Sequence, residues 1–313
     1  SMPRRQYSLA AQFGFLFVPL PLLIFLGNPA IGLLVGSALS LSFNGKIIPI
    51  SGQLGKYALQ TAIILLGLKL DAERLIQISA DYSLLVTAYV LITLAVGLLM
   101  GKMLNNNPVS SQLISSGTAV CGGTTIASLA PIINARPELT AVALTLVFLL
   151  NAVALFIYPH IGHYLSLSQE QFGVWCALSI HDTSSVVATA LIYGEESGAV
   201  ATILKLGRTL WLVPLLIIAS VLQNRSSTRV QIPLFVILFV ISAMIGSLID
   251  FPVWFIDIVS FASKALLVLA LYCIGSDITR NTLSELKGRA LIHGLLLWII
   301  VAPTTLAVVV FLI

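Results

Sequence analysis

The stretch Ser115–Pro131 reads SSGTAVCGGTTIASLAP, and it concentrates glycine, serine and threonine within a strongly apolar region. Two adjacent glycines, Gly122 and Gly123, lie at its centre, and each costs a helix interior about 1 kcal/mol relative to alanine. We therefore expect a helix break near residues 117–125. At membrane depth a break is tolerated where it lines a cavity, because lipid cannot satisfy the freed backbone groups. Close helix packing through small residues is the alternative interpretation.

The composition predicts an integral membrane protein. The 313 residues are 58% hydrophobic and 9% charged, with a mean hydropathy of +1.04, whereas soluble domains carry about 25% charged residues. The net charge of +4 is typical of cytoplasmic loops rather than of a nucleic-acid-binding surface. The three cysteines lie in apolar segments without metal-ligand spacing, so we expect no metal and no cofactor.

Apolar segments of about 20 residues are long enough to span a bilayer. The predicted fold class is an all-α polytopic membrane protein with about eleven transmembrane segments. Two of them, 109–134 and 171–193, could instead be re-entrant hairpins, which would leave nine spans. The segments are 7–27, 29–45, 52–70, 82–104, 109–134, 138–160, 171–193, 198–222, 232–250, 256–278 and 289–313.

Lysine and arginine predict the orientation, because they concentrate on cytoplasmic loops. With the N-terminus in the cytoplasm and the C-terminus outside, most of the positive residues fall on the cytoplasmic side. These are Arg4, Arg5, Lys46, Lys56, Lys102, Arg225, Arg229, Arg280, Lys287 and Arg289, whereas the outside loops carry Lys69, Arg74 and Arg136.

Two patterns recur along the chain at nearly constant spacing. The residues Lys56, Leu59, Ala62, Gly67 and Leu75 are matched at an offset of 208 by Lys264, Leu267, Ala270, Gly275 and Leu283. Upstream, Gly36-Ser37 is matched by Gly246-Ser247 at an offset of 210. The two copies lie seven segments apart. Because consecutive segments cross the membrane in opposite directions, two copies separated by an odd number of segments run in opposite directions. The pattern therefore predicts an inverted repeat of the kind found in secondary transporters. Chance similarity between leucine-rich segments is the alternative.

A second break is predicted near residues 180–186, where His181, Asp182 and Thr183 interrupt an apolar segment. An ionisable pair at membrane depth is costly unless it is solvated or paired, so it indicates function by default. Histidine titrates near physiological pH, which suits proton coupling. We assign ion or proton coupling to His181 and Asp182, with a structural pair at a helix end as the alternative.

Lys205 and Arg208 lie one turn apart on the segment 198–222. A buried guanidinium favours an anion, and its fork matches carboxylate, sulfate or phosphate oxygens. An ion pair with Asp182 is the alternative. Helix N-termini and hydroxyl groups at the two breaks would add donors. The predicted substrate-binding residues are Thr118, Cys121, Gly122, Gly123, Thr124, Thr125, Thr183, Ser184, Ser185, Lys205 and Arg208.

Hydrolysis by Ser179, His181 and Asp182 is disfavoured. Residues one or two positions apart on a helix do not face each other, and the sequence around Ser179 is not a nucleophile elbow. We therefore predict that the protein is not an enzyme.

Several stretches together resemble a known family. They are CGGTTIASLAP at 121–131, Tyr158-Pro159, SIHDTSSVVATA at 179–190, and the pair Lys205 and Arg208 followed by Pro214. Over residues 25–313 the chain resembles the sulfate exporter family of bacterial conserved-hypothetical membrane proteins. The two break motifs are more distantly similar to the crossing helices of sodium/bile-acid symporters and sodium/proton antiporters.

The resemblance implies a single transmembrane transporter domain, 1–313, in the bacterial inner membrane. It implies a core bundle around 82–222, scaffold or panel helices among 7–70 and 232–313, elevator-type alternating access and a homodimer. The expected function is secondary active transport of a small anion, inorganic or organic, such as sulfate. The symporters carry Gln-Asn type residues where this chain has His181-Asp182, which favours H⁺ over Na⁺ as the coupling ion. The alternative is a cation/proton antiporter that uses Asp182.

Overall fold

The computed structural model describes residues 9–43, 48, 50–69, 71–223, 234–284 and 286–313, and their regular secondary structure is entirely α-helical. Among them, five helices are long and apolar enough to cross a membrane: Ser83–Met103, Glu138–Tyr164, Glu195–Leu222, Val253–Ser276 and Gly288–Leu312. The third of these is divided into two consecutive helices, α12 (Glu195–Thr209) and α13 (Leu212–Leu222). The count of eleven spans stays a prediction. The helices are α1 (Leu9–Phe17), α2 (Pro19–Leu26), α3 (Pro29–Phe43), α4 (Ser51–Gly67), α5 (Ala72–Asp81), α6 (Ser83–Met103), α7 (Pro108–Ala119), α8 (Gly123–Leu129), α9 (Pro137–Tyr164), α10 (Gln169–Ser179), α11 (Thr183–Tyr193), α12 (Glu195–Thr209), α13 (Leu212–Leu222), α14 (Leu234–Leu248), α15 (Val253–Ser276), α16 (Arg280–Ser284) and α17 (Gly288–Leu312).

Each predicted apolar segment coincides with one helix or with two consecutive helices. Helix α5 was not expected. It places Arg74 and Gln77 on an exposed surface and buries Ile78, so it is amphipathic. Half of the positive residues assigned to the cytoplasmic side, namely Arg4, Arg5, Lys46, Arg225 and Arg229, lie outside the described residues. The ends of the predicted segments at 7–8, 44–45, 70 and 232–233 also lie outside them. The orientation therefore stays a prediction.

The chain folds as two compact units. The first unit comprises Ser1–Ala72 and Leu234–Ser284. In it α15 packs against α3 and α4, and α14 packs against α4. Its core includes Leu20, Leu23 and Tyr272, because the apolar face of α2 covers α15.

The second unit comprises Glu73–Pro233 and Glu285–Ile313, and it contains both predicted breaks. Helix α12 packs against α10 and α11, and α9 packs against α7 and α11. Helix α17 packs against α6, α7, α9 and α10. The last segment therefore belongs with the unit that holds the breaks, although the sequence analysis grouped it with the scaffold helices. The division into a moving core and a fixed scaffold stays a prediction.

A column of aromatic rings joins three helices of the second unit. Tyr158 of α9 stacks on Trp175 of α10, with ring centroids 3.9 Å apart and planes 2° apart. Trp298 of α17 lies on the same column, 6.2 Å from Tyr158. The Trp175 indole N–H donates to the Ala302 carbonyl at 3.0 Å. These large rigid contacts fix α10, and with it the second break, against α9 and α17.

Candidate functional site

The first helix break lies between α7 and α8. Helix α7 begins at Pro108, directly after its N-cap Asn107. The Asn107 side chain accepts hydrogen bonds from the backbone N–H groups of Val109 and Ser110. It ends at Ala119, and α8 begins at Gly123, so residues 120–122 form the interruption within the predicted range. Gly122 has φ +56° and ψ −121°, a conformation that only glycine adopts at low cost. The glycine pair therefore marks the break, and Gly122 is the member that requires it.

The second break lies between α10 and α11. Ser168 and Gln171 form a capping box at the start of α10, which ends at Ser179. Ile180 and Asp182 have extended backbone, and α11 begins directly after Asp182. Asp182 caps α11, because its Oδ1 accepts from the Ser185 N–H at 3.0 Å and its Oδ2 accepts from the Ser184 hydroxyl at 2.9 Å. The positive N-terminal end of α11 is thus already compensated by a carboxylate.

The two breaks touch each other. A Cβ atom placed on Gly122 would lie 3.1 Å from the carbonyl carbon and the Cβ of His181. The two discontinuous helices therefore cross at their interruptions, and four helix ends meet in one region. The C-terminal ends of α7 and α10 carry partial negative charge and the N-terminal ends of α8 and α11 carry partial positive charge.

Lys205 of α12 is fully buried at this crossing. Its ammonium donates to the Ile180 carbonyl at 3.0 Å, to the His181 carbonyl and, at 3.4 Å, to the Val120 carbonyl. The three donors of one side chain therefore join the interruption after α7 to the interruption after α10.

Arg208 lies one turn farther along α12 and joins the same two helices. Its Nε donates to the Ala119 carbonyl at 2.9 Å, and Nη1 donates to the Ala177 and Leu178 carbonyls at 2.7 Å each. Nη2 donates to the Thr118 carbonyl. These oxygens belong to the last turns of α7 and α10, which lack partners within their own helices.

Both cations therefore stabilise the negative ends of two half-helices. A buried unpaired charge costs several kcal/mol, and here the compensation comes from backbone oxygens and from the helix dipoles. The predicted ion pair with Asp182 is not among the contacts of the described residues, since the Asp182 oxygens bind Ser184 and Ser185. Direct binding of an anion by Lys205 and Arg208 stays a prediction. With Asp182 counted, the crossing holds two basic side chains and one acidic side chain.

The predicted polar residues differ in accessibility. Thr124, in the first turn of α8, is exposed, and Gly123, Asp182 and Thr183 are partly exposed. The others are buried and several are used internally. The Thr118 hydroxyl donates to the Ile114 carbonyl at 2.9 Å. The buried members of the predicted set are Thr118, Cys121, Gly122, Thr125, His181, Ser184, Ser185, Lys205 and Arg208.

Two further side chains lie at the crossing. Tyr89 of α6 donates its hydroxyl to the Thr118 carbonyl at 3.0 Å, and its ring lies 4.5 Å from the Arg208 guanidinium carbon. Asn151 of α9 contacts both the backbone and the imidazole of His181. The sequence analysis did not select Tyr89. Asn151 could have been selected from the sequence, because it is a lone polar residue within the long apolar segment 138–160. In the structure it contacts another helix and is part of the site.

The comparisons with known proteins identify the family. A profile described as "Conserved hypothetical protein 698" matches residues 26–294. A "UPF0324 membrane protein" of Porphyromonas gingivalis is 41% identical over 286 residues, covering 90% of this chain and 86% of the relative. One from Shewanella oneidensis is 36% identical, covering 82% of each chain, and one from Bacteroides thetaiotaomicron is 33% identical, covering 91% and 87%. No solved structure matches the chain. Together with the five apolar helices described above, relatives that are named membrane proteins support a multi-pass membrane protein. This chain therefore belongs to the conserved hypothetical protein 698 family.

Proposed function

We propose that this protein is a secondary active transporter of a small anion in the bacterial inner membrane, with alternating access. The observation that carries the proposal is the crossing of two discontinuous helices, joined by Lys205 and Arg208 in the interior of a membrane protein. Backbone that leaves the helical conformation at membrane depth is a feature of transporter binding sites. No enzymatic step is part of the proposal.

The charge of the crossing favours an anion as the substrate. The crossing holds two buried basic side chains and one acidic side chain, and positive potential in a region of low dielectric concentrates anions. Thr124 and Thr183 offer hydroxyl donors on the accessible side of the crossing. Asp182 is the observation that supports the second candidate, a cation/proton antiporter, because a partly exposed carboxylate at a break could exchange cations.

Reciprocal contacts in the first unit support the proposed inverted repeat. The Ser263 hydroxyl of α15 donates to the Ala62 carbonyl of α4 at 3.0 Å. At an offset of 208, the equivalents of these residues are Gly55 and Ala270, and a Cβ on Gly55 would lie 3.3 Å from the Ala270 carbonyl oxygen. The contact of Ala62 with Ser263 thus has an equivalent contact of Ala270 with Gly55, in which α4 and α15 exchange roles. A two-fold relation between the two helices produces such a pair of equivalent contacts.

The helices that flank this contact obey the same relation. Gly36 of α3 and Gly246 of α14 correspond at an offset of 210. A Cβ on Gly36 would meet the Ser276 backbone of α15, and a Cβ on Gly246 would meet the Leu68 backbone at the end of α4. Ser276 and Leu68 correspond at an offset of 208. We therefore assign the first unit as the symmetric scaffold, through which a homodimer would form, and the second unit as the moving core.

Anion binding is the first test of the proposal. The purified protein is melted with a panel of potassium salts of sulfate, sulfite, phosphate, acetate and succinate at matched ionic strength, with and without Na⁺ and at several pH values. We expect one chemical class of anion to raise the melting temperature. At 100 times its Kd, a ligand specific for the folded state adds about 2.7 kcal/mol.

Two threonine variants locate the binding site. Thr124→Val removes an exposed hydroxyl at the crossing and should weaken the anion effect, whereas Thr61→Val removes an exposed hydroxyl of α4 in the other unit and should leave it unchanged. If anions have no effect while Na⁺ or pH acts through Asp182, the antiporter is the better account.

A further inference from the structure

The two buried histidines of the second unit present opposite ring nitrogens to oxygen acceptors. His181 lies at the second break, and His293 lies in the first turns of α17. In a neutral imidazole one nitrogen donates and the other accepts, and the hydrogen bonds around the ring decide which is which. Both histidines have an asparagine partner, and each asparagine is oriented by a backbone N–H group.

The orientation of Asn151 follows from the backbone of His181. The His181 backbone N–H donates to Asn151 Oδ1 at 3.0 Å, so the amide oxygen, and not the amide nitrogen, must face His181. The same Oδ1 lies 3.1 Å from His181 Nδ1. Because an amide oxygen only accepts, Nδ1 must carry the proton. Nε2 is then the basic nitrogen, and no hydrogen bond to it is formed within the described part of the chain.

The two ring nitrogens of His293 have the opposite roles to those of His181. Its Nε2 lies 2.8 Å from the Gly97 carbonyl oxygen, which only accepts, so Nε2 carries the proton. Its Nδ1 lies 3.1 Å from the amide nitrogen of Asn106. The Asn107 backbone N–H donates to Asn106 Oδ1 at 2.9 Å and thereby turns the amide nitrogen toward His293. Both ring nitrogens of His293 are thus satisfied, and a second proton would break the bond to Asn106.

We propose that Asn151 is a positioning residue that holds His181 in the Nδ1–H tautomer and leaves Nε2 as the proton-accepting atom for coupling. His293, with no free basic nitrogen, holds α17 against α6 and has a structural role. The coupling role rests on the proposed transport function, whereas the tautomers do not depend on it.

A proton on Nε2 would add a positive charge beside existing ones. The charged groups that act on the imidazole are Arg208 and Lys205 of α12. Asp182 is the next residue in the chain, and it acts on Lys205, as does the Cys121 thiol of the facing break. A third cation in this region requires a counter-charge, and a bound anion supplies one. Proton uptake and anion binding therefore favour each other, which is the linkage that a proton–anion symporter needs.

Nitrogen NMR of the ring-labelled protein in lipid bilayers tests the tautomers directly, since protonated and unprotonated ring nitrogens have well-separated ¹⁵N shifts. The chain has four histidines, and His181→Gln and His293→Gln assign the two signals of interest. At a pH where both rings are neutral, we expect Nδ1–H for His181 and Nε2–H for His293. An Nε2–H signal for His181 in the wild type would overturn the inference.

Substitutions of the two asparagines separate positioning from packing. Asn151→Leu should abolish the pure Nδ1–H state of His181 and leave His293 unchanged, whereas Asn151→Asp keeps an acceptor in place and should keep Nδ1 protonated. Asn106→Leu should alter only His293. An unchanged His181 signal in Asn151→Leu contradicts the positioning role, whether or not the variant transports.

The functional arm uses sulfate as the probe anion in proteoliposomes. If sulfate is carried, Asn151→Leu should shift the pH profile of uptake and His181→Gln should remove the pH dependence. An unchanged pH profile in both variants overturns the coupling role. If sulfate is not carried, the same two variants are compared with whichever of sulfite, phosphate, acetate or succinate is carried. If none of the five is carried, the proposed function and the coupling role both fail, while the NMR result decides the tautomers independently.

Discussion

Replacing Arg208 with leucine should lower the free energy of unfolding by about 3–5 kcal/mol, the range expected when a buried charged partner is removed. The variant leaves the last carbonyl groups of α7 and α10 without donors, among them those of Ala119, Ala177 and Leu178. Each buried unsatisfied acceptor costs about 1–3 kcal/mol. Chemical denaturation of the purified protein in mixed micelles measures the effect.

Gly207→Ala is the matched control for Arg208. Gly207 is exposed on the same turn of α12, and an added Cβ meets no atom within 4 Å. Its stability should therefore equal that of the wild type or exceed it by up to about 1 kcal/mol, because alanine favours the helix over glycine. If Arg208→Leu cannot be recovered, Arg208→Lys keeps the charge but cannot span both helices, and it should retain part of the stability. A wild-type stability in Arg208→Leu would contradict the structural role and restore the guanidinium as a direct ligand of the anion.

The adjacent glycines of the first break should respond very differently to alanine. Gly122→Ala forces a side chain into φ +56°, ψ −121° and places its Cβ 3.1 Å from His181 and from Val147 Cγ1. Strain and overpacking of this kind cost about 3 kcal/mol. In Gly123→Ala the new Cβ makes ordinary contacts, 3.5 Å from Leu144 Cδ2 and 3.7 Å from Phe148 Cζ.

Melting temperatures of the two alanine variants check this prediction. Gly123→Ala should melt close to the wild type, and Gly122→Ala should melt far below it or fail to accumulate in the membrane. Equal effects of the two substitutions would contradict the positions assigned to the break and would favour the interpretation of both glycines as packing residues.

The positions of both breaks were accessible from the sequence because they depend on local properties. A glycine pair and an ionisable pair are each unfavourable inside an apolar helix, so Gly122-Gly123 and His181-Asp182 indicate where helices end. The spacing of Lys205 and Arg208 likewise predicts that both face one side of α12. Each of these inferences uses only residues close together in the chain.

The partners of the two cations could not be predicted from the sequence. Every residue has a carbonyl oxygen, so no pattern of side chains indicates that Lys205 and Arg208 bind backbone oxygens rather than Asp182. The sequence analysis assigned Asp182 to coupling, to an ion pair or to a structural pair at a helix end, and the structure makes it the cap of α11. Capping needs only a carboxylate directly before the first helical residue, and Asp182 stands directly before Thr183, where α11 begins.

Contacts between distant segments were also beyond the sequence. Helix α17 resembles the other apolar segments in composition, and only its packing against α7, α9 and α10 places it in the second unit. The role of Asn151 depends on a residue 30 positions away, and a single polar residue in an apolar segment carries no information about which residue it contacts.

Flux of the anion that stabilises the protein tests the central claim most directly. Reconstituted liposomes are loaded with that anion, and its movement is followed after a pH step, with the Thr124→Val and His181→Gln variants beside the wild type. We predict saturable anion movement that the pH gradient drives, with weaker apparent affinity in Thr124→Val and loss of the pH drive in His181→Gln. Proton movement driven by a Na⁺ gradient and lost in Asp182→Asn, with no flux of any anion, would contradict the account and identify a cation antiporter.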